Sequence, residues 1–137
     1  MKILLDTNVV LDVLLDNEQF REDSYGAMKK ALEDGHIIYL SASAATDIFY
    51  VLRKALGSKS EALSSMKDIM KIIFFAKVDE DDILYAFASR ITDFEDAVVD
   101  SVAMSMKADF IITRNKKDFK YANTKILSPG EYLKKYS

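Results

Sequence analysis

The order of apolar and polar segments predicts an α/β sandwich on a mainly parallel sheet. Three observations carry this. Short β-rich apolar runs alternate with longer amphipathic stretches. The runs at residues 3–5 and 110–112 are apolar at every position, as strands covered on both faces are. Capping residues and glycines punctuate the stretches between them. The 137 residues contain no repeat or Pro/Ser-rich linker and read as one domain spanning 1–137. A chain this long buries about two thirds of its extended surface.

The elements follow in order. Residues 2–6 are a buried strand ending in a polar cluster, and residues 9–15 a short apolar helix. Residues 18–34 are helical, with Phe20, Tyr25, Met28 and Leu32 near a 3.6 period and Gly35 as the stop. Residues 36–40 are a second strand. Ser43 caps a helix to about residue 56, ended by Gly57, and Ser58 or Ser60 opens another to about residue 73. A strand at 75–78 leads to Asp79, an N-cap that puts Glu80, Asp81 and Asp82 in the positive first turn of a helix. This capping role explains that acidic run better than a metal site does. Asp93 caps a helix to about residue 107, residues 109–113 form a strand, and residues 125–127 a last short one. Pro129 starts a terminal helix at its natural first position.

Composition removes several function classes. No cysteine is present, which excludes disulfides, thiol catalysis, zinc–thiolate sites and iron–sulfur clusters. His36 is the one imidazole, so multi-histidine metal sites are excluded, and its helix–strand junction favours a structural role. No signal-like or membrane-length apolar stretch appears, so a soluble, cytoplasmic protein is expected. The net charge is −3, but it is unevenly spread. Between positions 79 and 100, eight acids face one base, Arg90, while Arg53, Lys54 and Lys59, and Arg114, Lys116, Lys117 and Lys120, form basic stretches. An acidic centre with basic flanks suits a metal-dependent enzyme acting on a polyanion; solvated helix faces are the plainer alternative.

Four places carry the chemistry. Asp6 follows the first strand directly; it either caps the next helix or holds a cation. Asp47 sits among small and apolar neighbours, in a helix turn expected to be largely buried. Asp93, Asp96 and Asp100 are spaced i, i+3, i+7 and share one face, where like charges need solvent or a cation. Thr113-Arg114-Asn115 follows a strand and leads to Asp118. In such sheets, ligands bind beyond the carboxyl ends of the strands, where Asp6 and Thr113 lie. Oxygen-only donors favour magnesium or manganese over zinc.

These pieces resemble the PIN-domain family, most closely its small stand-alone VapC-type toxin ribonucleases. The resemblance rests on Leu4-Leu5-Asp6-Thr7-Asn8-Val9-Val10-Leu11-Asp12, on Ser43 through Arg53-Lys54, on Asp93-Phe94-Glu95-Asp96-Ala97, and on Ile111-Ile112-Thr113-Arg114-Asn115-Lys116-Lys117-Asp118-Phe119, in that order over nearly the whole chain. It implies a three-layer α/β/α sandwich with four to five strands. It also implies Mg2+- or Mn2+-dependent hydrolysis of RNA phosphodiester bonds, leaving 3′-hydroxyl and 5′-phosphate ends. By that resemblance Asp6, Asp47 and Asp96 are catalytic metal ligands, with aspartate at 47 where the family more often has glutamate. Asn115 stands where many members have aspartate, and Asp118 follows one turn later; the fourth position is open between them. Thr7, Asn8 and Thr113, with Asn115, support the ligands; Arg53, Lys54, Arg114, Lys116 and Lys117 are RNA-backbone candidates. The implied partners are an RNA substrate, a small antitoxin and a second copy of the chain, with Tyr50, Phe74, Phe75, Tyr85 and Phe87 as interface candidates.

Two rival readings differ in class. A catalytically weak or inactive PIN domain would act as an RNA-binding or regulatory module, which the altered fourth position permits. A phosphotransferase of haloacid-dehalogenase or receiver type also places an aspartate after a strand. The first of these wants aspartate where Asn8 stands, and the second wants an acid beside Asp6, so both rank lower.

Overall fold

A computed structural model describes residues 1–136 of the chain. Five strands, β1 (Lys2–Leu5), β2 (Ile37–Ser41), β3 (Phe74–Ala76), β4 (Phe110–Ile112) and β5 (Ile126–Leu127), form one sheet in the order β3-β2-β1-β4-β5. Every pairing is parallel. The helices are α1 (Thr7–Leu14), α2 (Arg21–Glu33), α3 (Ala44–Leu56), α4 (Lys59–Ile69), α5 (Glu80–Ala88), α6 (Phe94–Ser105) and α7 (Pro129–Tyr136), with a 3₁₀ turn at Lys116–Phe119.

Strand alternation sorts the core into two layers. Ile3 and Leu5 of β1, with Phe110 and Ile112 of β4, point to one face and pack against α1, α2, α3, α4 and α7. Leu4 and Ile111 point to the other and pack against α5, α6 and Phe119. Topology explains this division. The chain steps from β1 to β2 to β3 in one direction, then crosses back to β4 on the far side of β1. Right-handed crossovers put the helices of the outward steps on one face and those of the return on the other. The sheet is therefore covered on both sides, as the fully apolar runs at 3–5 and 110–112 require.

Most boundaries match the sequence to within a few residues. Gly57 ends α3 at φ +71°, and Gly35 follows α2 at φ +78°, a backbone that other residues rarely adopt. Asp79 accepts from the Asp81 N–H, while Asp82 reaches back to the Asp79 N–H at 2.9 Å, closing a reciprocal cap. The acidic run at 79–82 is thus a helix start, as expected. Its last member does more: Asp82 is buried and accepts from the Ser101 hydroxyl at 2.7 Å, tying α5 to α6. The two helices run antiparallel, with Asp82 beside Ser101 and Phe87 beside Phe94. His36 lies 3.1 Å from the N-terminal amine and edge-on to Tyr136, a structural setting. Among the described residues, no helix is long and apolar enough to cross a membrane.

Candidate functional site

The order of strands reverses at β1, so the carboxyl ends of β1 and β4 flank a crevice. Asp6 stands there. Its N–H donates to the Ile112 carbonyl at 2.9 Å, carrying the ladder one residue past the end of β1. Its carboxyl accepts from the Thr7 N–H at 2.8 Å, the Asn8 amide at 3.1 Å and the buried Thr113 hydroxyl at 2.7 Å. Thr113 in turn accepts from the Asn115 N–H at 3.0 Å, and Asn8 from the Arg114 N–H at 3.4 Å. Asp6 thus caps α1 and faces the crevice at once, so the two sequence readings are compatible.

A cleft of about 510 Å³ opens over Asp6. Asp47 enters it from the first turn of α3, Asp93, Glu95 and Asp96 from the start of α6, and Asn115 and Asp118 from the 3₁₀ turn. Asp6, Asp47, Asp96 and Asp118, distant in sequence, therefore border one space. Asp47 corrects one expectation: Ala44 and Ile48 are buried as predicted, but Asp47 itself is exposed on the cleft wall. Asn115 and Asp118 both border the cleft, joined by the Asp118 N–H to the Asn115 carbonyl at 3.0 Å.

Burial and crowding of like charge together set the electrostatics of the cleft. Burial, then the charges of Asp6, Asp93, Asp118 and Glu95, push the Asp96 carboxyl up to about 7. Burial raises Asp6 as well; the Thr113 and Thr7 hydrogen bonds oppose this, and Asp93 and Asp118 add to it. Glu95 is raised by burial, then by Asp47 and Asp6. No lysine or arginine lines this cleft among the described residues. The donor set is oxygen only, which suits a hard divalent ion. Such an ion would return these carboxyls to their charged form. Among the described residues, no group of three or more His, Cys, Asp or Glu side chains already stands as an ion cage. The fit lies in donor chemistry and in shared location.

Sequence reasoning missed one member of the cleft. Glu95 accepts from the Thr7 hydroxyl at 3.4 Å and hydrogen-bonds Asp47. Asp93, expected both as a cap and on one face with Asp96, caps α6 through the Asp96 N–H at 2.9 Å and lines the cleft. The available signal was position: side chains tilt toward a helix N-terminus, so several first-turn residues reach one space beyond it. Asp100, grouped with Asp93 and Asp96 by spacing, is instead fully buried beneath α5.

The basic candidates divide. Arg53, Lys54 and Lys117 are exposed. Arg114 is committed elsewhere: its Nε donates to the buried Asp12 at 2.7 Å and its guanidinium lies 4.0 Å over the Phe20 ring. Lys116 pairs with Glu131 at 2.8 Å and holds that carboxyl down at about 2. Of the interface candidates, Tyr50, Phe74, Phe75 and Phe87 are exposed, whereas the Tyr85 hydroxyl is tied to Asp100 at 2.9 Å.

Comparison with known proteins agrees with this architecture. The fold is similar to VapBC2 from Rickettsia felis, solved bound to a DNA fragment from their promoter, with a TM-score of 0.75 and 18% identity over 93% of this chain and 98% of that one. It is also similar to VapBC-1 from nontypeable Haemophilus influenzae, with a TM-score of 0.68 and 15% identity over 94% and 98% of the two chains. FitAcB from Neisseria gonorrhoeae gives 0.63 and 23% over 93% and 97%. At these identities the likeness speaks to fold. No curated protein matches the sequence. The model of the PIN domain matches residues 2–117, and with that match the chain belongs to the PIN-domain family.

Proposed function

We propose that this protein is a metal-dependent endoribonuclease of the VapC type, acting as the toxin of a type II toxin–antitoxin pair. The observation that supports it most is the convergence of Asp6, Asp47, Glu95, Asp96 and Asp118 on one cleft at the switch point of the sheet. So many acids sharing a space without a basic residue would otherwise only weaken the fold. Bound magnesium or manganese would supply Lewis-acid stabilisation of phosphate charge and an activated water. Asp6, held by three hydrogen bonds, would be the fixed ligand. Asp47, Asp96 and Asp118 would complete the set with Glu95 beside them, while Thr7, Asn8, Thr113 and Asn115 hold orientation.

RNA would be gripped beside this cleft. Asp47, Tyr50 and Val51 line it, and Lys54 continues their helix stripe at i+7, so Lys54 is better placed than Arg53. Lys117 lies next to Asp118. Arg114 and Lys116, already paired, carry less of the role. The exposed aromatic residues Tyr50, Phe74, Phe75 and Phe87 support pairing with an antitoxin or a second copy.

Purified protein is incubated with structured and unstructured RNA in magnesium, manganese or excess chelator. Cleavage that needs the metal and disappears in Asp6→Asn and Asp96→Asn is expected. RNA binding without any cleavage would instead make the chain a binding module. Growth arrest on expression should vanish in the same two variants; arrest that persists excludes nuclease toxicity.

A further inference from the structure

A second polar hollow, of about 370 Å³, lies beside the acidic cleft, lined by Tyr85, Ser89, Arg90, Tyr121 and Asn123. Arg90 is the one base among eight acids between positions 79 and 100. It forms no ion pair among the described residues; its guanidinium lies 3.9 Å over the Tyr121 ring. The floor is rigid. Fully buried Asp100 accepts from the Tyr85 hydroxyl at 2.9 Å, the Asn123 N–H at 2.9 Å and the Asn123 amide at 3.4 Å. The same Asn123 amide donates to the Tyr85 hydroxyl at 2.7 Å. Burial and Asp100 raise the Tyr85 phenol, which keeps it protonated as a donor. A buried carboxyl is here committed to holding the walls of a surface hollow.

What remains unspent lies at the hollow. Both amide hydrogens of Asn123 are used, so its Oδ1 is left as an acceptor. The Ser89 oxygen accepts from the Ile91 N–H, leaving its hydroxyl hydrogen. Arg90 offers in-plane donors and, with Tyr121, a flat stacked surface. Flat faces with donors and acceptors at the edge suit an unpaired nucleobase. The position also fits. Asp93 stands three positions after Arg90, and Tyr121 three after Asp118, each a span of no more than about 11 Å of extended chain. The two hollows thus share the same pair of segments as walls.

We infer that the Arg90–Tyr121 hollow is a base-binding subsite, which stacks an unpaired nucleobase of the RNA strand whose phosphate lies in the acidic cleft. The inference rests on reading that cleft as an RNA-cleaving centre, but its test does not need cleavage. Anisotropy of a short fluorescent unpaired RNA is measured in excess chelator. Tyr121→Leu and Arg90→Ala should each weaken binding about tenfold, and Tyr121→Phe should retain it. Arg90→Lys should lose as much as Arg90→Ala, and an abasic strand should not distinguish wild type from Tyr121→Leu. In cleavage, Tyr121→Leu should raise KM and leave kcat within about twofold.

Unchanged affinity in Tyr121→Leu, full rescue by Arg90→Lys, or no RNA binding by wild type overturns the subsite. Loss of affinity in Tyr121→Leu from a protein that cleaves nothing leaves the subsite standing and removes the nuclease reading alone.

Discussion

The acidic cleft and the buried interior treat the same side chain in opposite ways. Asp12, Asp82 and Asp100 are more deeply buried than any acid of the cleft, and each is matched. Asp12 accepts from Ser24 and Arg114, Asp82 from Ser101 and the Asp79 N–H, and Asp100 from Tyr85 and Asn123. In the cleft, Glu95 and Asp96 are instead crowded by other acids. Helix α6 carries both kinds: Asp96 is crowded by like charge in its first turn, and Asp100 is satisfied one turn later. Carboxyls within the fold are thus satisfied by donors of the chain itself, and those of the cleft stand among other acids with no lysine or arginine beside them among the described residues.

Asp6→Asn makes the sharpest test of this division. It keeps the size and most hydrogen bonds of the residue, so cleavage should fall at least about a hundredfold, reflecting several kcal/mol of lost metal chemistry. The urea midpoint should barely move. Asp12→Ala should do the reverse, costing about 3 kcal/mol of stability by leaving Arg114 and Ser24 without a partner. If the cleft variant unfolds and the interior one does not, the division is wrong.

Titration gives a smaller effect of definite sign. Asp96 ionises at about 7 in the fold against an ordinary 3.8. Between these values the native state holds a proton that the unfolded chain has lost, so stability falls as pH rises. Its contribution is complete below pH 3.8 and gone above about 7. Melting in chelator should follow this slope, and Asp96→Asn should flatten it. Manganese should raise the melting temperature at neutral pH, by mass action on the native state. A melting temperature that climbs through that window in chelator contradicts the crowding of charge.

The smallest effect concerns a buried oxygen left unsatisfied. The buried Tyr132 hydroxyl finds no hydrogen-bond partner among the described residues. Tyr132→Phe should therefore add up to about 1 kcal/mol of stability, read by urea unfolding.

Local pattern carried the element order, because strand runs, caps and glycines are written within a few residues of where they act. The ends of α2 and α3 at Gly35 and Gly57 were readable for that reason. What depends on packing was not. Spacing put Asp100 on a face with Asp96, but spacing cannot say that α5 covers the lower half of that face. Asp47 was expected to be buried with its apolar neighbours, since a sequence does not reveal which helix end opens onto a cleft. Arg114 read as a free base because its partner, Asp12, is 102 residues away. Glu95 escaped because first-turn geometry gathers residues that stripe logic separates.

One detail of β1 has a kinetic consequence. The Asp6 amide, one residue past the middle strand of five, continues the ladder into Ile112 of β4. That hydrogen is released only when the end of β1 parts from β4, so its deuterium uptake should be among the slowest in the chain, near the rate of global opening. The carboxyl most central to the cleft is therefore mounted where thermal breathing is least.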